Sequence, residues 1–176
     1  MTFEPTPLPD CLVVRPQRHA DARGFFYRTW DPAELAAAGL NPHVAQCSAS
    51  FNAKKGTLRG MHYQAAPHAE AKLVRCTRGA IYDVALDLRP DSPTFRQSFG
   101  VELTEENGAA LYVPEGCAHG FLTLEDASEV FYMISAPYAP EAARGARWDD
   151  PAFGIAWPGA IRVIHERDAG YPDFPS

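Results

Sequence analysis

Ala80-Ile81-Tyr82-Asp83-Val84-Ala85-Leu86-Asp87-Leu88 is the stretch that decides the fold class. Tyr82, Val84, Leu86 and Leu88 alternate with Ile81, Asp83, Ala85 and Asp87, and a period of two is the signature of a β-strand. One face of that strand is apolar and the other carries two carboxylates. Outward from it, residues 57–63, 71–77, 97–103, 109–113, 120–124 and 128–136 read as further strands. Turns fall at Arg78-Gly79, Pro90-Asp91-Ser92-Pro93 and Glu106-Asn107-Gly108. Residues 11–16 and 24–30 are expected to be early strands around a turn at Asp21-Ala22-Arg23-Gly24. One short helix follows: Asp31 caps it, Pro32 suits its first turn, Glu34 completes a capping box and Gly39 ends it. Residues 139–176 are rich in proline and aromatics and read as an irregular wrap. Short strands without intervening helices indicate a sandwich or a barrel.

The chain has 176 residues, enough for one domain (1–176) that buries about 70% of its unfolded surface without covalent staples. A net charge of −6 argues against nucleic acid or an anionic membrane as the main partner, though a local basic cluster can still bind an anion. No secretory signal opens the chain, and no apolar run approaches the ~20 residues of a membrane span. Cys11, Cys47, Cys76 and Cys117 form no CxxC pair, so reduced thiols in a cytoplasmic protein are expected.

Two histidines stand in turn-rich contexts. Gly108-x5-Pro114-x-Gly116-x2-His119 matches the second signature of the cupin barrel, a jelly roll in which the Pro-x-Gly turn presents the histidine inward. The first cupin signature calls for two histidines one residue apart. Here Gly56-x5-His62 is present, but Gln64 stands where the second imidazole would be. An amide is a poor ligand for zinc or iron, so a three-histidine site is broken, although His68 and Glu70 offer a different donor set. The fold expected is therefore all-β, a cupin jelly-roll barrel with a short N-terminal helix and an irregular C-terminal segment. Its histidines serve either a metal or acid–base chemistry.

Ordered blocks along nearly the whole chain bear on that choice: RGFF at 23–26, GTLRGMHYQ at 56–64, AKLVRCTRGAIYDVALDLRPDSPTF at 71–95, YVPEGCAHGFL at 112–122, FYMISAPYAP at 131–140 and RWDDPAFGIAWP at 147–158. With these the chain resembles the dTDP-4-dehydrorhamnose 3,5-epimerase family of nucleotide-sugar cupins. The resemblance implies an isomerase that inverts carbons flanking the ketone of a dTDP-4-keto-6-deoxyhexose, with no metal or organic cofactor, as a cytoplasmic homodimer. A 3-epimerase and a 3,4-ketoisomerase share the scaffold. A metal-dependent dioxygenase and a non-catalytic sugar-binding cupin also compete for the same barrel.

Removing a proton beside a carbonyl takes a base, a group that stabilises the enolate oxygen, and an acid on the opposite face. His62 suits the base, because an imidazole titrates near working pH. By resemblance Asp168 pairs with it, Lys72 lies by the keto oxygen and Tyr132 is the proton donor. Arg59 and His119 hold diphosphate or sugar, and Tyr138 stacks on the nucleotide base. Gln46 and Arg167 complete the substrate contacts, while Arg23 and Phe26 reach the site across the dimer. Lys72 shares a strand face with Val74 and Cys76, and an inward lysine is rarely placed without a purpose. Asp83 and Asp87 are assigned structural pairing with nearby arginines or backbone donors. Arg59 and His62, three apart, reach one cavity only if the strand bulges, and Gly60 is where it can. Arg28, Ser48 and Ala143 depart from the family pattern at nucleotide- and substrate-recognition positions, which leaves the nucleotide less defined than the proton chemistry.

Overall fold

The computed structural model of the chain describes residues 1–174. From the amino end run β1 (Thr2–Pro5), β2 (Leu12–Arg15) and a small hairpin of β3 (His19–Asp21) and β4 (Gly24–Phe26), followed by helix α1 (Pro32–Ala37). The barrel strands come next: β5 (Gln46–Asn52), β6 (Thr57–Gln64), β7 (Lys72–Arg78), β8 (Ala80–Asp87), β9 (Ser98–Thr104), β10 (Ala110–Val113), β11 (Cys117–Thr123) and β12 (Ser128–Ile134). The chain closes with a 3-10 turn at Pro140–Ala142, β13 (Ala143–Gly145), β14 (Val163–Ile164) and a single helical turn, α2 (Glu166–Ala169). The expected C-terminal wrap is thus largely irregular but carries these short elements; its residues 175–176 lie outside the described part.

Two sheets make the jelly roll, one ordered β1-β2-β10-β7-β12-β5 and the other β13-β6-β11-β8-β9, with β14 joining β6 in parallel. Between them lies a core to which both contribute, including Val13, Val74, Cys76, Leu111 and Val130 from one and Ile81, Ala85, Leu103 and Phe121 from the other. The outer face of the first sheet is sealed by Leu35 of α1 and by Leu40. The outer face of the second sheet is sealed by Ala146, Phe153, Ile155, Trp157 and Phe174 from the C-terminal wrap. Among the described residues no helix is long and apolar enough to cross a membrane.

That second covering reverses the simplest view of β8. Its apolar face, with Val84 and Leu86, points outward against the wrap, and the face with Asp83 and Asp87 points into the barrel beside Ile81 and Ala85. Both carboxylates are fully buried. Asp87 is structural, as expected: it accepts from Arg89 Nε at 2.9 Å and Nη2 at 2.8 Å, from Ser92 Oγ at 2.6 Å and from Thr94 Oγ1 at 2.7 Å.

Three local expectations need correction. The turn at 21–24 joins β3 to β4, whereas the strand predicted over 11–16 pairs with β1 and β10. Pro16 lacks an N–H and closes β2 before that turn. Strand character predicted to residue 30 stops at Phe26. Helix α1 is capped by Asp31, which accepts from the N–H groups of Ala33 and Glu34, but Glu34 turns its carboxylate to the Met1 amino group instead of closing a capping box.

Candidate active site

The site begins at an irregularity in β6. Opposite it on β11, His119 faces His62 and Phe121 faces Arg59, so three steps along β6 are matched by two on β11. This is a β-bulge, and it turns Arg59 and His62 onto the same inward face as His119 and Phe121. Gly60 is required there. Its φ is +123°, and a Cβ on it would lie 2.5 Å from Gly120 Cα and 2.8 Å from the His119 carbonyl oxygen. The Gly60–Met61 peptide is cis.

The chain delivers Asp168 to this bulge from more than a hundred residues away. Arg162 and Val163 donate their N–H groups to the Gly56 carbonyl, and β14 runs parallel to β6 with Val163 beside Thr57 and Ile164 beside Leu58. α2 follows directly and sets Asp168 over Gly60. Asp168 Oδ1 lies 2.8 Å from His62 Nε2, and Oδ2 accepts the Gly60 N–H at 3.1 Å. Burial opposes the charge of this carboxylate. The hydrogen bonds from His62 and Gly60, with the Arg167 guanidinium at 3.2 Å, outweigh it and bring the group down to about 2. An anion so placed takes a proton-bearing Nε2 from neutral His62, which leaves Nδ1 as the basic lone pair. Arg167 Nη2 lies 3.1 Å from the same Nε2, which in this tautomer has no lone pair to offer it, and the guanidinium is held instead by its Nε bond to Asp168. Tyr171 stands edge-on to His62 at 6.3 Å between ring centroids and occupies the space above Gly145, the β13 residue opposite His62.

Lys72 and Tyr132 come from the other sheet. Lys72 lies in register with Ile134, and Tyr132 with Val74, so both face the interior. Lys72 is 8% exposed. Its Nζ meets Glu70 Oε1 at 2.9 Å and donates to the His62 carbonyl at 3.3 Å. Tyr132 is half-buried with its ring edge toward His119, at 6.0 Å between centroids, and its hydroxyl lies 3.1 Å from Ser50 Oγ. Burial pushes its phenol well above the usual range, with the Ser50 hydrogen bond acting the other way.

His119, expected to hold substrate, is itself held: its Nε2 lies 2.7 Å from Asp83 Oδ1, deep in the barrel. Asp83 therefore pairs with a site histidine, which corrects its assignment to an arginine or a backbone donor. Its second oxygen has no hydrogen-bond partner among the described residues. Arg59 donates from Nε to Asn52 Oδ1 at 2.7 Å. Gln46 accepts the Tyr138 N–H at 3.1 Å, and the Tyr138 side chain is 60% exposed. Gln64 uses its amide on backbone, accepting from Ala139 N–H at 2.6 Å and donating to the carbonyls of His68 and Pro137 at 2.9 and 3.1 Å. Of the other donors considered for a metal, Glu70 pairs with Lys72 and His68 stands 3.8 Å from Glu141 on the surface, and among the described residues no three His, Cys, Asp or Glu side chains gather as metal ligands.

Arg23 and Phe26 are not brought to the barrel interior of the single chain. They sit on the β3–β4 arm, Arg23 paired with Asp21 and Phe26 66% exposed. Of the departures from the family pattern, Ser48 lies on β5 opposite Tyr132, Ala143 lies on β13 opposite Gln64, and Arg28 pairs with Asp31 at 3.7 Å. Asp83, Ser50 and Tyr171 are the neighbours that sequence reasoning passed over as site residues, and Glu70, considered there only as a metal donor, is the partner of Lys72.

Fold and interior together define a jelly-roll cupin whose interior brings a histidine–carboxylate pair, from β6 and α2, together with a lysine and a tyrosine of the other sheet. The sequence pattern of the dTDP-4-dehydrorhamnose 3,5-epimerases matches residues 5–176. The chain is 43% identical to the dTDP-4-dehydrorhamnose 3,5-epimerase of Sinorhizobium fredii, covering 99% of this chain and 90% of that one. Among solved structures it is similar to the Elizabethkingia anophelis dTDP-4-dehydrorhamnose 3,5-epimerase, with a TM-score of 0.94 at 38% identity over 99% of this chain and 96% of that one. It is likewise similar to the Bacillus anthracis dTDP-4-dehydrorhamnose 3,5-epimerase solved with TDP and PPi bound, with a TM-score of 0.94 at 36% identity over 98% and 99%. The chain belongs to the dTDP-4-dehydrorhamnose 3,5-epimerase family.

Proposed function

We propose that this chain is an isomerase that epimerises a dTDP-activated 4-keto-6-deoxyhexose at C3 and C5, in deoxysugar biosynthesis of the dTDP-rhamnose type. The observation that carries the proposal is the opposition of His62–Asp168 on one sheet to Lys72 and Tyr132 on the other. His62 Nδ1 takes the proton from the carbon beside the ketone, and Asp168 stabilises the imidazolium that results. The electron pair of the C–H bond moves onto the keto oxygen, where the Lys72 ammonium meets the enolate charge. Tyr132 then delivers its proton to the other face of the same carbon, which inverts it. The sequence of steps repeats at C5.

Arg59 and His119 take the diphosphate and sugar, Arg167 and Gln46 line the approach, and Tyr138 offers its exposed ring to the nucleotide base. Residues 1–176 act as one cupin domain, and the enzyme works as a cytoplasmic homodimer. The exposure of Phe25 and Phe26, at 56% and 66%, supports an arm that packs on a second copy and carries Arg23 and Phe26 to its site.

Incubation with dTDP-4-keto-6-deoxyglucose in deuterated water, followed by NMR, tests the reaction. Deuterium at C3 and C5 is the expected result. Incorporation at C3 alone makes the enzyme a single epimerase, and none at either carbon removes this substrate. His62→Ala is expected to abolish incorporation with the dTDP dissociation constant within about twofold, as for loss of a base that does not hold the nucleotide. Full incorporation by this variant would take the role of base away from His62.

A further inference from the structure

Resting on that reading of Tyr132 as the acid, we infer that Ser50 is the residue that positions the Tyr132 phenol and returns its proton. β5 is the edge strand of its sheet, and its register with β12 places Gln46, Ser48, Ser50 and Asn52 opposite Ile134, Tyr132, Val130 and Ser128. Val130 belongs to the interior core, so these four polar side chains form a row on the interior face. Within that row Ser50 Oγ reaches Tyr132 Oη at 3.1 Å, and among the described residues it is the one side chain hydrogen-bonded to the phenol. Ser50 is in turn fixed by Asn52, whose Nδ2 donates to the Ser50 and Ser128 carbonyls, both at 3.2 Å, while its Oδ1 accepts from Arg59. Arg59 and the backbone of Ser50 are thus held by the same Asn52 side chain, which fixes the strand that carries the hydroxyl beside the acid.

The chemistry calls for such a group. When Tyr132 protonates carbon, its O–H bond breaks, a C–H bond forms, and the electron pair stays on a phenolate facing Asp83, His119 and Arg59 inside the barrel. The Ser50 hydroxyl rotates to donate to that phenolate. Its proton passes to Oη as a solvent water at the half-buried edge strand supplies another to Oγ. His62 loses the proton it took from carbon to solvent, so the enzyme ends each turnover in its starting state.

The test compares wild type, Ser50→Ala, Ser50→Thr and Tyr132→Phe in deuterated water, following two quantities by NMR: deuterium washed into unreacted substrate through His62, and inverted product. For Ser50→Ala, inversion is expected to fall about 10- to 100-fold, the range for a lost hydrogen bond to an ion, with KM within about twofold. Wash-in is retained, so the ratio of wash-in to inversion rises. Ser50→Thr, which keeps the hydroxyl, restores inversion to within about threefold. Inversion at the wild-type rate in Ser50→Ala, a proportional loss of wash-in and inversion, or failure of Ser50→Thr to rescue would each overturn the inference. If wild type shows no wash-in, or Tyr132→Phe inverts like wild type, the failure lies in the proposed reaction and not in Ser50.

Discussion

Asp168→Asn separates charge from shape at the centre of the site. The carboxylate is 3% exposed and hydrogen-bonded on both oxygens, and lowering it from an ordinary 3.8 to about 2 corresponds to about 2 kcal/mol in favour of its charged form. The folded value lies below the unfolded one, so this stabilisation is complete above about pH 4 and disappears as pH falls through about 2. Asparagine removes it. The variant is expected to be less stable than wild type by up to about 2 kcal/mol at pH 7, with the gap unchanged to about pH 5 and closing toward pH 2. The effect on activity is larger. An asparagine that keeps its carbonyl on the Gly60 N–H presents its NH2 to His62 Nε2, which must then accept. The ring proton moves to Nδ1 and the basic lone pair is lost, so deuterium wash-in is expected to fall about 10²- to 10⁴-fold. Urea unfolding across pH and NMR wash-in rates measure the two effects independently. Wash-in within about threefold of wild type would refute the dyad as the base, and a stability gap that persists undiminished at the lowest pH would refute the carboxylate charge as its source.

Two further substitutions probe the frame around the site. Gly60→Ala places a methyl group against the backbone of Gly120 and His119 at a φ of +123°, and is expected to cost more than about 3 kcal/mol in urea unfolding; an unchanged midpoint would mean the bulge is not fixed by close contact. Asp87→Ala removes a fully buried carboxylate that accepts from the partly exposed Arg89, Ser92 and Thr94 and is expected to cost about 1.5–3 kcal/mol in urea unfolding, while wash-in per folded molecule stays within about twofold. Strongly reduced wash-in in that folded variant would bring Asp87 into the chemistry.

Periodicity made most of the barrel strands legible, and Gly60 made the bulge legible, because three-residue spacing between two inward side chains has few geometric solutions. What periodicity does not carry is which face of a strand is inside when both are covered. β8 shows this: the C-terminal wrap buries Val84 and Leu86 on the outside, so the carboxylate face lines the interior and Asp83 meets His119. Asp168 is the opposite case. Nothing local marks it, since its place depends on a two-residue parallel pairing of β14 with β6, and only the family resemblance indicated it. Ser50 did leave a signal, in polar residues at every second position from Gln46 to Asn52, which is what a strand lining a wet cavity requires. Arg23 and Phe26 lie on an exposed arm of the single chain, Arg23 paired with Asp21, and neither reaches the barrel interior there.

The division of the residues between sheets bears on the stereochemistry directly. Inverting a carbon requires one group to remove a proton and another to supply one from the opposite side, with a planar enolate between them. Facing sheets in a jelly roll stand about 10 Å apart, which leaves room for a flat sugar ring between side chains reaching in from each wall. Here β6 and α2 place His62–Asp168 on one wall, and β7 and β12 place Lys72 and Tyr132 on the other. A pair of acid–base groups on one sheet would return the proton to the face it left and give exchange without inversion. With His62 as the proposed base and Tyr132 as the proposed acid, the two-walled arrangement inverts the carbon, and the second wall is where the efficiency of inversion is set. Among the described residues, Lys72 and Tyr132 are each held there by one hydrogen-bonding or ion-pairing side chain, Glu70 and Ser50. Changes at those two positions should therefore alter the balance between exchange and inversion before they alter the fold, because neither neighbour lies in the hydrophobic core between the sheets.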